Sequence, residues 1–133
     1  MIVRGIYCII NQKNFKEKIK SISIIDEYLE HARVMYFYNK GSEDLYISSA
    51  DWMTRNLNHR IEAAVKITDK DLKKEAIDIL NLQLKDNVKA RIFDKKLSNK
   101  YVKKNHEKEF RSQIEIYKYL RNKSSEKSKK GKL

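Results

Sequence analysis

HARVMYFYNKGSEDLYISSADWMTRNL, residues His31 to Leu57, is the stretch on which the reading of the whole chain turns. An apolar run, Val34 to Tyr38, is followed by a polar break from Asn39 to Asp44 that contains Gly41, and then by a second short run, Leu45 to Ile47. Two β-prone runs flanking a Gly-containing break predict a hairpin with a longer loop. The second run ends in Ser48, Ser49, Ala50 and Asp51, small and hydrogen-bonding residues, before a short helical turn through Trp52, Met53 and Asn56. A strand end of this kind is well placed to meet a ligand. If the chain is already extended at Arg33, the period of two puts His31 and Arg33 on one side, an imidazole beside a fixed cation. That pair suits a phosphoryl group. A short helix over Glu27 to Ala32, capped by Asp26, competes with the extended reading, and the sequence alone leaves both open.

Upstream, Ile2 to Ile10 is apolar nearly throughout, which predicts a strand covered on both faces. Arg4 interrupts it. An unpaired guanidinium there costs several kcal/mol, so Arg4 is expected at a strand end or in a polar cleft, with pairing to a core-edge carboxylate as the competing reading. Asn11 to Lys20 is predicted as a loop with a helical turn, and Ser21 to Ile25 as a second strand. Downstream, Ile61 to Ile67 is expected to be a strand bearing Arg60 and Glu62 as an i, i+2 pair. Thr68 and Asp71 have the capping-box spacing for a helix reaching about Asp86, whose stripe is Leu72, Ala76, Ile79, Leu80 and Leu84. Asn87 suits the end of that helix, Val88 to Phe93 alternates like a half-buried strand, and Asp94 to Glu109 is a lysine-rich loop. Phe110, Ile114, Ile116, Tyr117 and Leu120 mark a last amphipathic helix. From Asn122 to Leu133 the composition of Ser, Lys and Glu predicts a disordered tail. Strands alternating with helices argue an α/β layer structure.

Composition sets bounds. A chain of 133 residues can bury a core, and about one domain is expected. The formal net charge is +12, from 30 Lys and Arg against 18 Asp and Glu, and a polyanion is the partner such a balance suggests. The last twelve residues hold five lysines and one glutamate, which leaves +8 on the body. A single cysteine, Cys8, excludes an internal disulfide and a cysteine-based zinc site, and its neighbours predict a buried thiol. No apolar run approaches the roughly 18 to 20 residues of a membrane span, and no basic leader precedes Ile2, so a cytoplasmic location is expected. His59 and His106 are read as solvated bystanders, and three scattered histidines make no metal-ligand pattern. Gly5, Gly41 and Gly131 make no phosphate-binding loop. Tyr36, Phe37, Tyr38 and Trp52 sit in or beside apolar runs and are expected in the core rather than as a base-stacking platform.

The strings IVRG (2–5), SISIIDEYLEHARV (21–34), YISSADWMTRNLNHRIE (46–62) and DNVKAR (86–91) closely resemble the C-terminal part of bacterial polyphosphate kinases, in order, from residue 2 to about Leu120. That part of the family resembles a phospholipase D-like domain. His31-Ala32-Arg33 followed by Ser48-Ser49-Ala50-Asp51 is similar to the phospholipase D pattern His-x-Lys and Gly-Ser-x-Asn, with arginine for lysine and aspartate for asparagine. Those departures weigh against phosphodiester hydrolysis.

The resemblance implies an α/β fold with a mixed β-sheet flanked by helices, incomplete here. It implies a domain over residues 1–121, cut from a longer enzyme that reversibly passes the γ-phosphate of ATP to polyphosphate through a phosphohistidine lying upstream of this chain. It implies His31 as the second essential histidine and Arg4 as a ligand of nucleotide phosphates, with Arg33, Ser49, Asp51, Arg55, Arg60 and Glu62 in support. ATP or ADP, inorganic polyphosphate, the remaining kinase domains and further copies of the enzyme are the implied partners. Mg²⁺ would travel with ATP, its protein contacts outside this chain. A non-catalytic module that holds polyphosphate or nucleic acid is the reading from a different class.

Overall fold

The computed structural model describes residues 1–5, 14–102 and 108–130, the last four by backbone alone. It is a mixed α/β chain of two compact units, one formed by Met1–Leu29 with Leu80–Leu133 and the other by Glu30–Ile79. The expected α/β class is present, with the strands distributed between two small antiparallel sheets.

In the unit of residues 30–79, strands β2 (Val34–Phe37), β3 (Asp44–Ser48) and β4 (Ala64–Lys66) form a meander in the order β2-β3-β4. The hairpin follows the expected register, with Val34 opposite Ile47 and Phe37 opposite Asp44. Its loop is a 3₁₀ turn, Asn39–Gly41, in which Asn39, Lys40 and Gly41 all take positive φ. Gly41, at φ 94°, holds a conformation that a Cβ disfavours. Asn39 Nδ2 donates to Asp44 Oδ2 at 2.7 Å, and Lys66 pairs with the same carboxylate at 2.6 Å across the meander. Leu45 is the fully buried residue of this sheet, while Phe37 meets Tyr46 edge to face at 6.2 Å. Tyr36, Phe37, Tyr38 and Trp52 are all exposed, so the expectation that they are core side chains does not hold within this unit.

Helix α1 (Thr54–His59) is the short turn expected after Trp52, closed by Asn56 and Leu57 N–H donating to Met53 O. The predicted strand Ile61 to Ile67 shrinks to β4, because Glu62 is drawn back to Ser49 and Asn56 and Ile61 points fully into solvent. Helix α2 (Lys70–Leu84) opens as predicted, but on a different cap. Asp69 Oδ1, rather than Thr68, accepts the N–H groups of Asp71 and Leu72 at 2.9 Å.

In the other unit, β1 (Ile22–Ile24) pairs antiparallel with β5 (Ala90–Ile92), and Ile2 adds a parallel bridge to Ile22. The rest of the predicted first strand, with Cys8, lies in residues 6–13, outside the described residues, as does His106. The predicted helix over Glu27 to Ala32 is absent. Asp26 does accept Glu27 N–H at 2.8 Å, yet its carboxylate, 1% exposed, is taken up by a two-pronged bond from Arg111, Nε to Oδ2 at 2.8 Å and Nη2 to Oδ1 at 2.7 Å. The Arg111 hydrogen bonds hold Asp26 below the ordinary carboxylate range, against the opposing effect of burial. Gln113 closes the same seam, exchanging bonds with the Tyr28 backbone.

Val88 and Lys89, predicted to start a strand, instead turn around Asp86. Oδ1 of this buried carboxylate accepts N–H from Val88, Lys89 and Ala90, and Oδ2 accepts Ser112 N–H at 2.8 Å at the start of helix α3 (Ser112–Lys130). Asp86 therefore caps a helix 26 residues further on, where a negative charge also complements the helix dipole. Asn87 lies past α2 and ties residues 108–110 down, accepting Phe110 N–H at 2.7 Å and donating to Lys108 O. Helix α3 runs to Lys130, so residues 122–130 are helical where the composition predicts disorder. No Pro interrupts the segment and no Gly occurs before Gly131, and its Lys, Glu and Arg residues are good helix formers.

Candidate functional site

The chemistry-bearing residues of the unit 30–79 meet where the start of β2, the end of β3 and the start of β4 adjoin, over residues 31–33, 48–51 and 60–63. The hairpin ladder continues one step beyond β2, Ser48 N–H donating to Arg33 O at 2.9 Å, and Ser49 N–H donates to Ala63 O. Residues 31–33 are non-helical, which removes the helix reading at His31, and the His31 and Arg33 side chains meet.

Arg33 is central to the cluster. Its Nε donates to Asp51 Oδ1 at 2.7 Å and its Nη2 to His31 Nε2 at 2.8 Å. The arginine hydrogen bond is the main reason that the Asp51 carboxyl lies below its ordinary range, and the Asp51 bond in turn raises Arg33. Beside this pair, Glu62 accepts the Ser49 hydroxyl through Oε2 and Asn56 Nδ2 through Oε1 at 2.9 Å. The Ser49 hydroxyl also receives Ala63 N–H at 3.0 Å, so it links both strand ends. Hydrogen bonds from Ser49, then Asn56, hold Glu62 below the usual carboxylate range. Ser48 Oγ accepts Ala50 N–H, which fixes the turn into Asp51.

Of the residues singled out in the sequence, His31, Arg33 and Asp51 thus form one hydrogen-bonded group and Ser49 and Glu62 another, the two linked by the charge interaction of Arg33 with Glu62. Arg55, exposed on α1, contributes only a long-range charge to Asp51, and Arg60 stands 3.9 Å from Glu62 at the end of α1. Arg60 and Glu62 are consequently residues of a connection rather than a strand pair. Arg4 belongs to the other unit, where its side chain is exposed. His59 closes α1 and is exposed.

Asn56 is the residue that sequence reasoning missed. It is 2% exposed, its amide nitrogen is committed to Glu62, and its Oδ1 has no hydrogen-bond partner in the structure. An asparagine buried on an otherwise exposed six-residue helix is the signal, and it shows only once the helix is seen. Removing Glu62 tests the arrangement: Glu62→Ala leaves Asn56 Nδ2 and the Ser49 hydroxyl without their charged acceptor. Loss of these hydrogen bonds to a charged group is expected to lower the urea midpoint.

Among the described residues no three His, Cys, Asp or Glu side chains converge as a metal site. Asp51 Oδ1 and both Glu62 oxygens already accept hydrogen bonds from Arg33, Ser49 and Asn56, so this cluster presents no open set of carboxylate oxygens to a magnesium ion. No helix of the described residues is long and apolar enough to cross a membrane.

Comparison with known proteins gives the cluster its context. The chain is 49% identical over 123 residues to a polyphosphate kinase of Vibrio parahaemolyticus and 45% identical over 122 residues to that of Escherichia coli K12. These alignments cover 92% and 91% of this chain, and in both cases 18% of the relative. The crystal structure of polyphosphate kinase from Porphyromonas gingivalis superposes with a TM-score of 0.88 at 46% identity, covering 93% of this chain and 19% of that one. The chain therefore spans about a fifth of the length of the proteins it matches. A family profile described as polyphosphate kinase C-terminal domain 2 matches residues 1–113, and the chain belongs to that family.

Proposed function

We propose that this chain is the C-terminal catalytic segment of a polyphosphate kinase, which transfers the γ-phosphate of ATP reversibly to the end of a polyphosphate chain. The observation that supports this best is a histidine hydrogen-bonded to a carboxylate-anchored arginine, in a chain 45–49% identical to enzymes of that name. The reaction occurs in two displacements. The bond from the γ-phosphorus to the ADP oxygen breaks as a bond to a histidine nitrogen forms, on a residue supplied from outside this chain. The terminal oxygen of polyphosphate then takes the phosphoryl group, and the histidine is released.

His31 assists at the phosphoryl oxygens or the leaving oxygen by offering a proton or hydrogen bond. Arg4 holds nucleotide phosphates by charge-assisted bonds, each worth about 1.5–3 kcal/mol. Arg33, Ser49, Asp51, Arg55, Arg60 and Glu62 support the cleft. Mg²⁺ would arrive with ATP and would supply charge neutralisation at the phosphates, with its protein contacts outside this chain. The remaining kinase domains, and further copies of the enzyme, complete the assembly, and the setting is the cytoplasm.

Incubation with γ-labelled ATP tests the assignment. The chain alone is expected to acquire no stable phosphohistidine and to make no polyphosphate. Joined to the preceding part of the Escherichia coli relative, it is expected to do both, with the label outside this segment. Stable label on His31 would overturn its role. The net charge of +12 favours a second reading, a purely electrostatic polyanion module. That reading predicts polyphosphate binding that falls steeply with salt and no transfer in the joined chain.

A further inference from the structure

Asp51, Arg33 and His31 stand in a line of hydrogen bonds whose donors can be assigned without seeing a hydrogen. A guanidinium has five N–H donors and no acceptor. At 2.8 Å from Arg33 Nη2, His31 Nε2 faces a group that can only donate, so the contact selects the ring form in which Nε2 accepts and Nδ1 carries the proton. Arg33 is itself held, since its Nε donates to Asp51 Oδ1 at 2.7 Å, and its side chain is about three-quarters buried. Both bonds leave adjacent nitrogens of one rigid plane, so Asp51 fixes the direction from which His31 is addressed.

We propose that Arg33 is a positioning residue that locks His31 in the Nδ1–H tautomer, with Asp51 as the anchor of the guanidinium. The inference rests on the reading of His31 as the hydrogen-bond donor in phosphoryl transfer, and it specifies the donating atom: with Nε2 occupied, Nδ1–H is what the ring can offer a phosphoryl oxygen. It also makes the two departures from the phospholipase D pattern one feature. A lysine at position 33 has its three donors on a single freely rotating nitrogen and could not span a carboxylate and an imidazole as a planar fork does. An asparagine at 51 would lack the charge that keeps the fork in place. Arginine at 33 and aspartate at 51 thus require one another.

The tautomer is measurable in the 133-residue chain by long-range ¹H–¹⁵N correlation of ¹⁵N-histidine-labelled protein, with His31 signals assigned by their loss in His31→Gln. At a pH where the ring is neutral, the expected result is a protonated Nδ1 and a bare Nε2. A protonated Nε2 with bare Nδ1 in the unsubstituted chain overturns the proposal outright, with no variant needed. In Arg33→Met the population is expected to invert toward Nε2–H, the form favoured by a free imidazole. Arg33→Lys and Asp51→Asn, which keep respectively the charge and the shape, are expected to give a mixture of both tautomers. Retention of pure Nδ1–H in Arg33→Met shows that something other than Arg33 sets the tautomer, and overturns the role assigned to it. None of these readings depends on phosphoryl transfer. A joined kinase that fails to transfer phosphate thus bears on the kinase reading and not on the tautomer.

Discussion

Replacing Asp86 by alanine is expected to destabilise the unit built from residues 1–29 and 80–133 by about 4 kcal/mol. Four backbone donors, the N–H groups of Val88, Lys89, Ala90 and Ser112, share this one carboxylate. Ala90 and Ser112 are buried, so water cannot replace the lost acceptor there. Each buried donor left unmade costs about 1–3 kcal/mol, and the four are too close together to be additive. With a urea dependence of about 2 kcal/mol per molar, the midpoint should fall by roughly 2 M. Amide exchange identifies the cause, because those four N–H groups should lose protection before the hairpin of the other unit does. Unchanged protection at Ser112 in Asp86→Ala would refute the capping role.

The pH dependence follows with a definite sign. Burial alone would raise Asp86, but the Ser112, Lys89 and Ala90 N–H donors outweigh it and leave the folded carboxyl below its ordinary value. Asp26 is depressed as well, chiefly by Arg111. A carboxyl whose folded value lies below its unfolded value, about 3.9, contributes its full stabilisation above that pH and loses it as pH falls through the folded value. Unfolding of this unit is therefore expected on acidification below about pH 4. Asp86→Ala should flatten that acid limb, which a urea titration at several pH values would show.

What the sequence revealed and what it hid divide by distance along the chain. The hairpin from Val34 to Ser48 was legible because two apolar runs and the polar break holding Asn39 and Gly41 act within a few positions of one another. Helix α2 was legible for the same reason, although Asp69 rather than Thr68 holds its first turn. The helix expected after Asp26 failed because Asp26 is claimed by Arg111, 85 positions away, and local propensity carries no trace of that partner. The strand expected at Ile61 failed through the link of Glu62 back to Ser49, 13 positions away. Asp86 read as the end of a helix and turned out to hold the start of another. In the site, the i, i+2 relation of His31 and Arg33 could be foreseen. The Arg33–Asp51 bond joins two departures that the sequence shows only as separate substitutions.

Substituting His31 by alanine in a chain that joins this segment to the preceding part of the Escherichia coli relative is expected to slow polyphosphate synthesis by about 10²–10³-fold, the usual contribution of one positioned hydrogen-bond donor to a charged transition state. Phosphoryl transfer concentrates charge on the equatorial and leaving oxygens, and a donor placed there acts on the transition state more than on bound ATP. The loss should consequently fall on kcat with KM for ATP nearly unchanged. Folding should survive, because His31 is exposed and, among the interactions described, makes one side-chain hydrogen bond, to Arg33. That exposure also makes chemical rescue possible: added imidazole can enter the space vacated by the side chain and meet the same Arg33 donor, and it is expected to restore part of the rate in His31→Ala. Arg33→Lys should give an intermediate loss, since a cation remains while the planar fork is gone. A drop of less than tenfold in His31→Ala, with KM for ATP raised instead, would assign His31 to nucleotide binding and remove it from the transfer step.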